Sequence, residues 1–290
     1  TLSGSLPAAM LLVTLVTLVK SEKIQFWFLA GLASLSIAAQ QSLQINVITE
    51  GQKIQAFWQQ VALRIPELEP GTTVIAHYPA IEYGDDYDVV WGPLNFVYLD
   101  LTDAEYHDGG VHYPYSGLKQ NYLVSKDVIV GASEGDWYRT HAFVFDYQKL
   151  LVLDQPTSDS CVHVLDARWA RLTLTDSDQM LLLAGYSNIG VINNEAAAQS
   201  LNPVIFGNPI SESWCIYYQQ AEQALQQENW SGVIDILHQA KDAGFSPADR
   251  VEWMPFLQAA LYLEDQTLVG DIAGEFTSNK FLRDEACRLI

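Results

Sequence analysis

Two long apolar runs close to the start of the chain constrain it more than anything that follows. Leu6 to Val19 is broken only by two threonines, and Ile24 to Ala39 is a second such run. Between them stands a polar turn, Lys20-Ser21-Glu22-Lys23. A membrane-crossing helix takes roughly 17–25 residues. The first run reaches that length when Thr1 to Pro7 extend it, and the second when Gln40 to Leu43 lie among the lipid headgroups. Trp27, flanked by Phe26 and Phe28, stands at the lysine end, where an interfacial aromatic anchor belongs. A signal peptide is not normally preceded by another apolar stretch. A buried hairpin of a soluble protein remains the other alternative. The pattern predicts a transmembrane helical hairpin over residues 1–45, with membrane lipid contacted through residues 6–40. The lysines put its turn in the cytoplasm and everything after about residue 45 on the far side. A first residue of Thr fits a segment cut from a longer polytopic chain.

The charge is unevenly placed. Of a net −20, the first sixty residues carry +1 (Lys20, Lys23 and Lys53 against Glu22 and Glu50), so the remainder carries −21. A body that acidic is repelled by nucleic acid and by anionic headgroups, and no basic stripe with interleaved aromatics offsets it. Three cysteines are too few for a disulfide scaffold. One bridge, with Cys161 and Cys215 as the expected pair and Cys287 free, stands beside the alternative of three reduced, buried thiols.

Beyond the hairpin, Ile54, Phe57, Trp58, Val61 and Ala62 recur at helical spacing and make residues 46–70 an amphipathic connector. Pro66 and Pro70-Gly71 end it, and Thr72 to His77 reads as a strand. Val89 to Leu101 is a helix or a strand. Asp127 to Val130, Thr140 to Phe145, Leu150 to Leu153 and Cys161 to Leu165 are short β-branched or aromatic runs between turn-rich pieces. Residues 71–205 therefore predict an extracytoplasmic α+β domain with a mainly antiparallel sheet. After a polar connector, Ser187 to Pro209, the period becomes helical. Successive faces start at Trp214, Trp230, Val251 and Leu268, giving a helical domain over 206–290. Ala221, Leu225, Trp230, Val233, Leu237, Ala240 and Pro247 fall near the places a tetratricopeptide repeat fills, although the opening of that pattern is missing.

Several residue groups carry chemistry by type. Gly131-Ala132-Ser133-Glu134-Gly135 matches a nucleophile elbow, with His141, His163, Asp154 and Asp166 as partners by type. The residues after it read as strand rather than helix, which favours a plain hairpin turn. His107, Asp108 and His112, preceded by Asp103 and Glu105, form a loop with transition-metal donors. Asp85, Asp86 and Asp88 with Glu82 form an acidic turn of calcium-type oxygens. Neither has a spacing that converges its ligands, so solvated loops and no bound cofactor are expected. The aromatic run Trp214 to Tyr218 reads as core, and Asn229-Trp230-Ser231 is a formal glycosylation sequon.

Cys161-Val162-His163-Val164-Leu165-Asp166, Asn202-Pro203 to Phe206-Gly207, Trp214-Cys215 to Tyr218 and Trp253 to Phe256 resemble the C-terminal part of a group of large polytopic bacterial membrane proteins. The connector from Phe57-Trp58 through Arg64-Ile65-Pro66 to Pro70-Gly71 resembles the segment after their last membrane helices. Some members look, further upstream, like glycosyltransferases that use lipid-linked sugars. The resemblance implies a non-catalytic tail to which no catalytic residue carries over. The reading that results is a membrane-anchored, extracytoplasmic interaction or assembly module with protein partners. The alternative is the tail of such a glycosyltransferase.

Overall fold

The computed structural model describes residues 14, 16, 20–79, 86–99, 105–107, 110–119, 128, 130–138, 141–168, 171–173, 176, 178–197, 199–209, 211–277 and 279–288. Two compact units divide the chain, residues 1–52 and residues 53–290.

In the first unit the described part is the beginning of helix α1 (Glu22–Arg64). Phe26, Trp27, Phe28 and Leu29 are consecutive, and successive helical residues point about 100° apart, so apolar side chains face every direction. All of them are open to solvent, Trp27 at 73% and Leu35 at 69%. A helix apolar all round belongs in a protein core or a bilayer. Among the described residues this is the one helix long and apolar enough to cross a membrane. The expected first half of the hairpin, residues 6–19, lies almost wholly outside the described residues.

In the second unit α1 becomes amphipathic, and Phe57, Trp58 and Val61 are fully buried. It stops at Arg64 because Ile65 precedes Pro66, and a residue before proline disfavours helical geometry. Then come β1 (Thr73–His77), α2 (Asp86–Tyr98), β2 (Glu105–His107), β3 (Gly110–His112) and β4 (Ser116–Lys119). These are followed by β5 (Ser133–Tyr138), β6 (His141–Asp146), β7 (Leu150–Asp154) and β8 (His163–Val164).

The central sheet runs β4-β1-β7-β8. β1 is parallel to both β4 and β7, and only β8 is antiparallel. The expectation of a mainly antiparallel sheet is corrected here. Its physical reason lies in β1 and β7, Thr-Val-Ile-Ala-His and Leu-Leu-Val-Leu-Asp, which are buried on both faces. Continuous apolar strands of this kind belong to parallel sheets covered on each side. Val74, Ala76, Leu151 and Leu153 face the end of α1 and α2, while Ile75, Leu150 and Val152 face the opposite layer. That layer is supplied by Phe143 and Phe145 of β6 and by Met180 and Leu183 of α3 (Asp178–Ala184). β6 belongs to a second sheet, β2-β3-β6-β5, with a parallel pair between two antiparallel ones. Val128 and Val130, expected to be extended, are helical.

The crossover helix α2 lies directly on β4. A β-carbon at Gly117 would stand 2.8 Å from Val90 Cγ1 and 2.9 Å from the Trp91 nitrogen, so no other residue fits there without displacing the helix.

After the short helix α4 (Pro203–Phe206), the remaining chain is helical. Its elements are α5 (Trp214–Gln226), α6 (Trp230–Asp242), α7 (Met254–Tyr262), α8 (Gln266–Phe276) and α9 (Lys280–Cys287). They enclose their own core of Tyr218, Ala221, Val233, Leu237, Phe256, Ala260, Ile272 and Phe276. The α5–α6 and α7–α8 turns are built alike. Glu228 and Glu264 both take φ of 57°, unusual for a side-chain-bearing residue. The next residues, Asn229 and Asp265, cap the following helices through their side chains. Their backbone N–H groups donate to Ala224 and Ala260, each at 2.9 Å.

Candidate functional site

β1 and β7 are parallel and each ends in a titratable residue, so the sheet itself sets His77 beside Asp154. His77 Nδ1 donates to Asp154 Oδ1 at 2.6 Å; the ring is one-third exposed and the carboxylate fully buried. The carboxyl ends of parallel strands are where open α/β sheets place their ligand sites. Asp154 Oδ2 has no classified hydrogen-bond donor among the described residues. The Asp154 side chain also neighbours Asp176, whose pKa is pushed up to about 7. Burial is the main cause. The neighbouring Asp154 charge and the hydrogen bond the protonated Asp176 gives it add to the shift. The second Asp176 oxygen accepts from the Thr173 N–H at 2.5 Å, which opposes the shift. Asp176 therefore keeps its proton up to near neutral pH.

This group continues into the joint between the sheet and the helical region. β8 is a two-residue edge strand, and the backbone groups of the two residues just before it find side chains in place of another strand. The Val162 N–H donates to Gln60 Oε1 at 2.9 Å, and Gln219 Nε2 donates to the Val162 carbonyl at 2.7 Å. The Cys161 N–H donates to Glu252 Oε1 at 2.7 Å. The same oxygen lies 3.5 Å from His163 Nε2, with both side chains fully buried. Burial disfavours a charge on His163, but Glu252, Asp154 and Asp249 together outweigh it and raise its pKa above the ordinary value. Cys161 is disulfide-bonded to Cys215 in the first turn of α5. Cys287 is free and exposed.

The residues singled out by sequence distribute as follows. Ser133 opens β5 opposite Asp146, and the chain continues as strand, so the strand-turn-helix of a nucleophile elbow is not built. Asp154 and His163 enter the network just described, whereas Asp166 pairs with Arg168. His107 and His112 lie in the paired strands β2 and β3, with side chains outside the described set. Asp108 and Asp85 also lie outside the described residues, as do the side chains of Asp86 and Asp88 in α2. Among the described residues no group of three or more metal-type donors converges. Trp214 and Tyr218 are core, Trp214 lying against Trp253 and Phe256. The sequon residue Asn229 accepts from the Gly232 N–H as a helix cap.

His77, Asp176, Glu252 and Gln219 were not singled out from the sequence. For His77 and Asp154 a signal existed, namely a polar residue closing an apolar run on each of two strands. The chemistry available is proton sharing. His77 has the carboxylate that orients a general base, but no described hydroxyl or thiol is hydrogen-bonded to its ring.

No family model, curated protein or solved structure matches this chain.

Proposed function

We propose that the chain is a membrane-anchored, extracytoplasmic interaction module, an accessory or assembly part of a membrane or surface complex. The observation that carries the reading is the first half of α1, apolar on all sides and exposed along its length. Such surface is stable in lipid and a liability in water. The Cys161–Cys215 bond supports the compartment, since disulfides persist outside the reducing cytosol. Lys20 and Lys23, at the helix start, set the orientation by charge. The helical region is tetratricopeptide-like on this reading. Its support is the matched pair of turns, Ala224-Leu225…Glu228-Asn229 and Ala260-Leu261…Glu264-Asp265, 36 residues apart against the roughly 34-residue period of such repeats. Helical-repeat surfaces bind proteins, and the net charge favours a basic or neutral partner over a nucleic acid.

Fractionation with protease protection tests this. The expected result is a carbonate-resistant membrane protein whose body is digested only from the extracytoplasmic side, and which co-purifies with a protein from gently solubilised membranes. A body protected from outside protease, or a protein recovered alone and turning over a lipid-linked sugar, overturns it.

A further inference from the structure

The two matched turns of the helical region carry different side chains at their tips. In the turn between α5 and α6, Gln226 and Gln227 reach across to the sheet region. Arg64 Nη2 donates to Gln226 Oε1 at 2.6 Å, Gln226 Nε2 donates to the Ile189 carbonyl at 3.1 Å, and Gln227 Nε2 to the Asn194 carbonyl at 2.9 Å. In the turn between α7 and α8 the same positions, 36 residues further on, are Tyr262 and Leu263. The backbone repeats: the Gln227 N–H donates to Gln223 at 3.1 Å and the Leu263 N–H to Ala259 at 3.0 Å. The side chains do not, for Tyr262 is 65% exposed and Leu263 45%. Single apolar residues on a surface are ordinary. Here two adjoin on a turn whose counterpart is a contact site, and a third stands behind them. The Trp230 ring stacks on the Tyr262 ring with 4.2 Å between centroids. With one face on Trp230 and most of its surface open, Tyr262 offers its other face to solvent.

The charges beside these rings narrow the partner. Glu264 and Asp265 follow Leu263 directly, and Glu228 stands two residues before Trp230; all three are exposed. Asp265 is occupied as a helix cap, accepting from the Leu268 N–H at 3.0 Å. Among the described residues no ion pair uses Glu228 or Glu264. An open aromatic face beside unneutralised carboxylates suits a lysine or arginine, which lays its methylenes on apolar surface and turns its charge to the rim. A second copy of this chain, with a net charge of −20, brings the wrong sign. We propose that the α7–α8 turn is the docking point for a basic segment of a partner protein. An arginine or lysine lies over Tyr262 with its charge towards Glu264 and Glu228, and an aliphatic neighbour covers Leu263. The proposal rests on the interaction-module reading and names the class of partner.

The test selects random heptapeptides, displayed on phage, against the full chain in a zwitterionic detergent. The enriched sequence is then synthesised and titrated by fluorescence anisotropy. Enriched peptides should carry Arg or Lys next to an aliphatic residue. Tyr262→Gln combined with Leu263→Gln gives the second turn the residues that the first turn already folds with, and should weaken binding at least tenfold. Glu228→Gln combined with Glu264→Gln should weaken it several-fold at low salt and flatten its salt dependence. Enrichment of acidic or wholly apolar peptides, or undiminished affinity in the Tyr262→Gln, Leu263→Gln protein, overturns the proposal. So does a concentration-dependent dimer in sedimentation that this variant abolishes, which would give the face to a second copy. A partner that still co-purifies with the same variant from membranes refutes this assignment and leaves the interaction-module reading standing.

Discussion

Raising the pH from 5 to 8 should loosen this fold, and Asp176 should be the main reason. In the native state its carboxyl holds a proton up to about pH 7, against an ordinary value of 3.8. Between those values the folded chain binds one proton more than the unfolded chain, so stability falls as pH rises. At about 1.36 kcal/mol per unit the full shift corresponds to roughly 4 kcal/mol. Only about two of those units lie above pH 5, and Asp176 is partly open to water, so the expected loss between pH 5 and 8 is about 1–2 kcal/mol. His163 acts in the same direction: with a raised native pKa its contribution is complete below about 6.5 and lost as pH climbs through the native value. Glu222 opposes them only in acid. Despite burial, Arg171 and Arg64 lower its pKa, so its contribution is present above the ordinary carboxylate value and lost as pH falls through the native one. The optimum should therefore lie near pH 5. Asp176→Asn keeps a neutral donor towards Asp154 and an acceptor for the Thr173 N–H while removing the proton. Urea unfolding of the full chain in detergent, followed by tryptophan fluorescence at several pH values, measures the effect. Between pH 5 and pH 8 the variant should gain about 1–2 kcal/mol on the wild type. Wild-type stability that rises between pH 5 and 7.5, or an unchanged slope in Asp176→Asn, would refute the reasoning.

Three further outcomes are expected. Reducing Cys161–Cys215, or replacing both with Ser, frees a 54-residue separation, and chain entropy puts the loss near 4 kcal/mol, read as a drop in urea midpoint that oxidised glutathione reverses only in the wild type. Gly117→Ala should cost about 1–3 kcal/mol, because its methyl would meet the Trp91 backbone; a variant as stable as the wild type would show that α2 shifts freely on β4. Gln219→Leu removes the donor to the Val162 carbonyl and should cost about 1–3 kcal/mol, whereas Gln219→Glu should be worse because it also sets an acceptor against Gln60 Oε1; chemical denaturation of the pair gives the ranking.

The helices were the most legible part of the fold. Each of α5 to α8 spans a face that the 3.6-residue period marks out, because an amphipathic helix writes its burial into neighbouring residues. β1 and β7 were equally plain as strands. Their partners were not, since β1 pairs with chain 43 and 77 residues further on and alternation within a strand carries no record of its neighbour. The unbroken Leu150–Leu153 run was the available hint of parallel pairing. α9 escaped because it buries chiefly Leu282, too little to impose a periodic pattern. The site failed in the same way as the sheet. Asp154 and His163 stood out as residue types, but His77 and Asp176 join them only through strand pairing and a loop return. Arg64 reads in sequence as an ordinary helix-ending base, and only the fold reveals that its Nε and Nη1 are buried without a partner among the described residues.

The bond between Cys161 and Cys215 encloses the whole stretch from β8 to the first turn of α5, including the exposed residues Asn193, Glu195, Ala197, Gln199 and Ser200. A peptide bond cut beside one of them would leave two polypeptides and one particle. The sheet and the helical region would stay fastened by the sulfur link and by the Gln60, Gln219 and Glu252 contacts. On a gel such material would run as one species without reductant and as two with it. A surface exposed to proteases can thus lose the continuity of its chain without shedding its outer half.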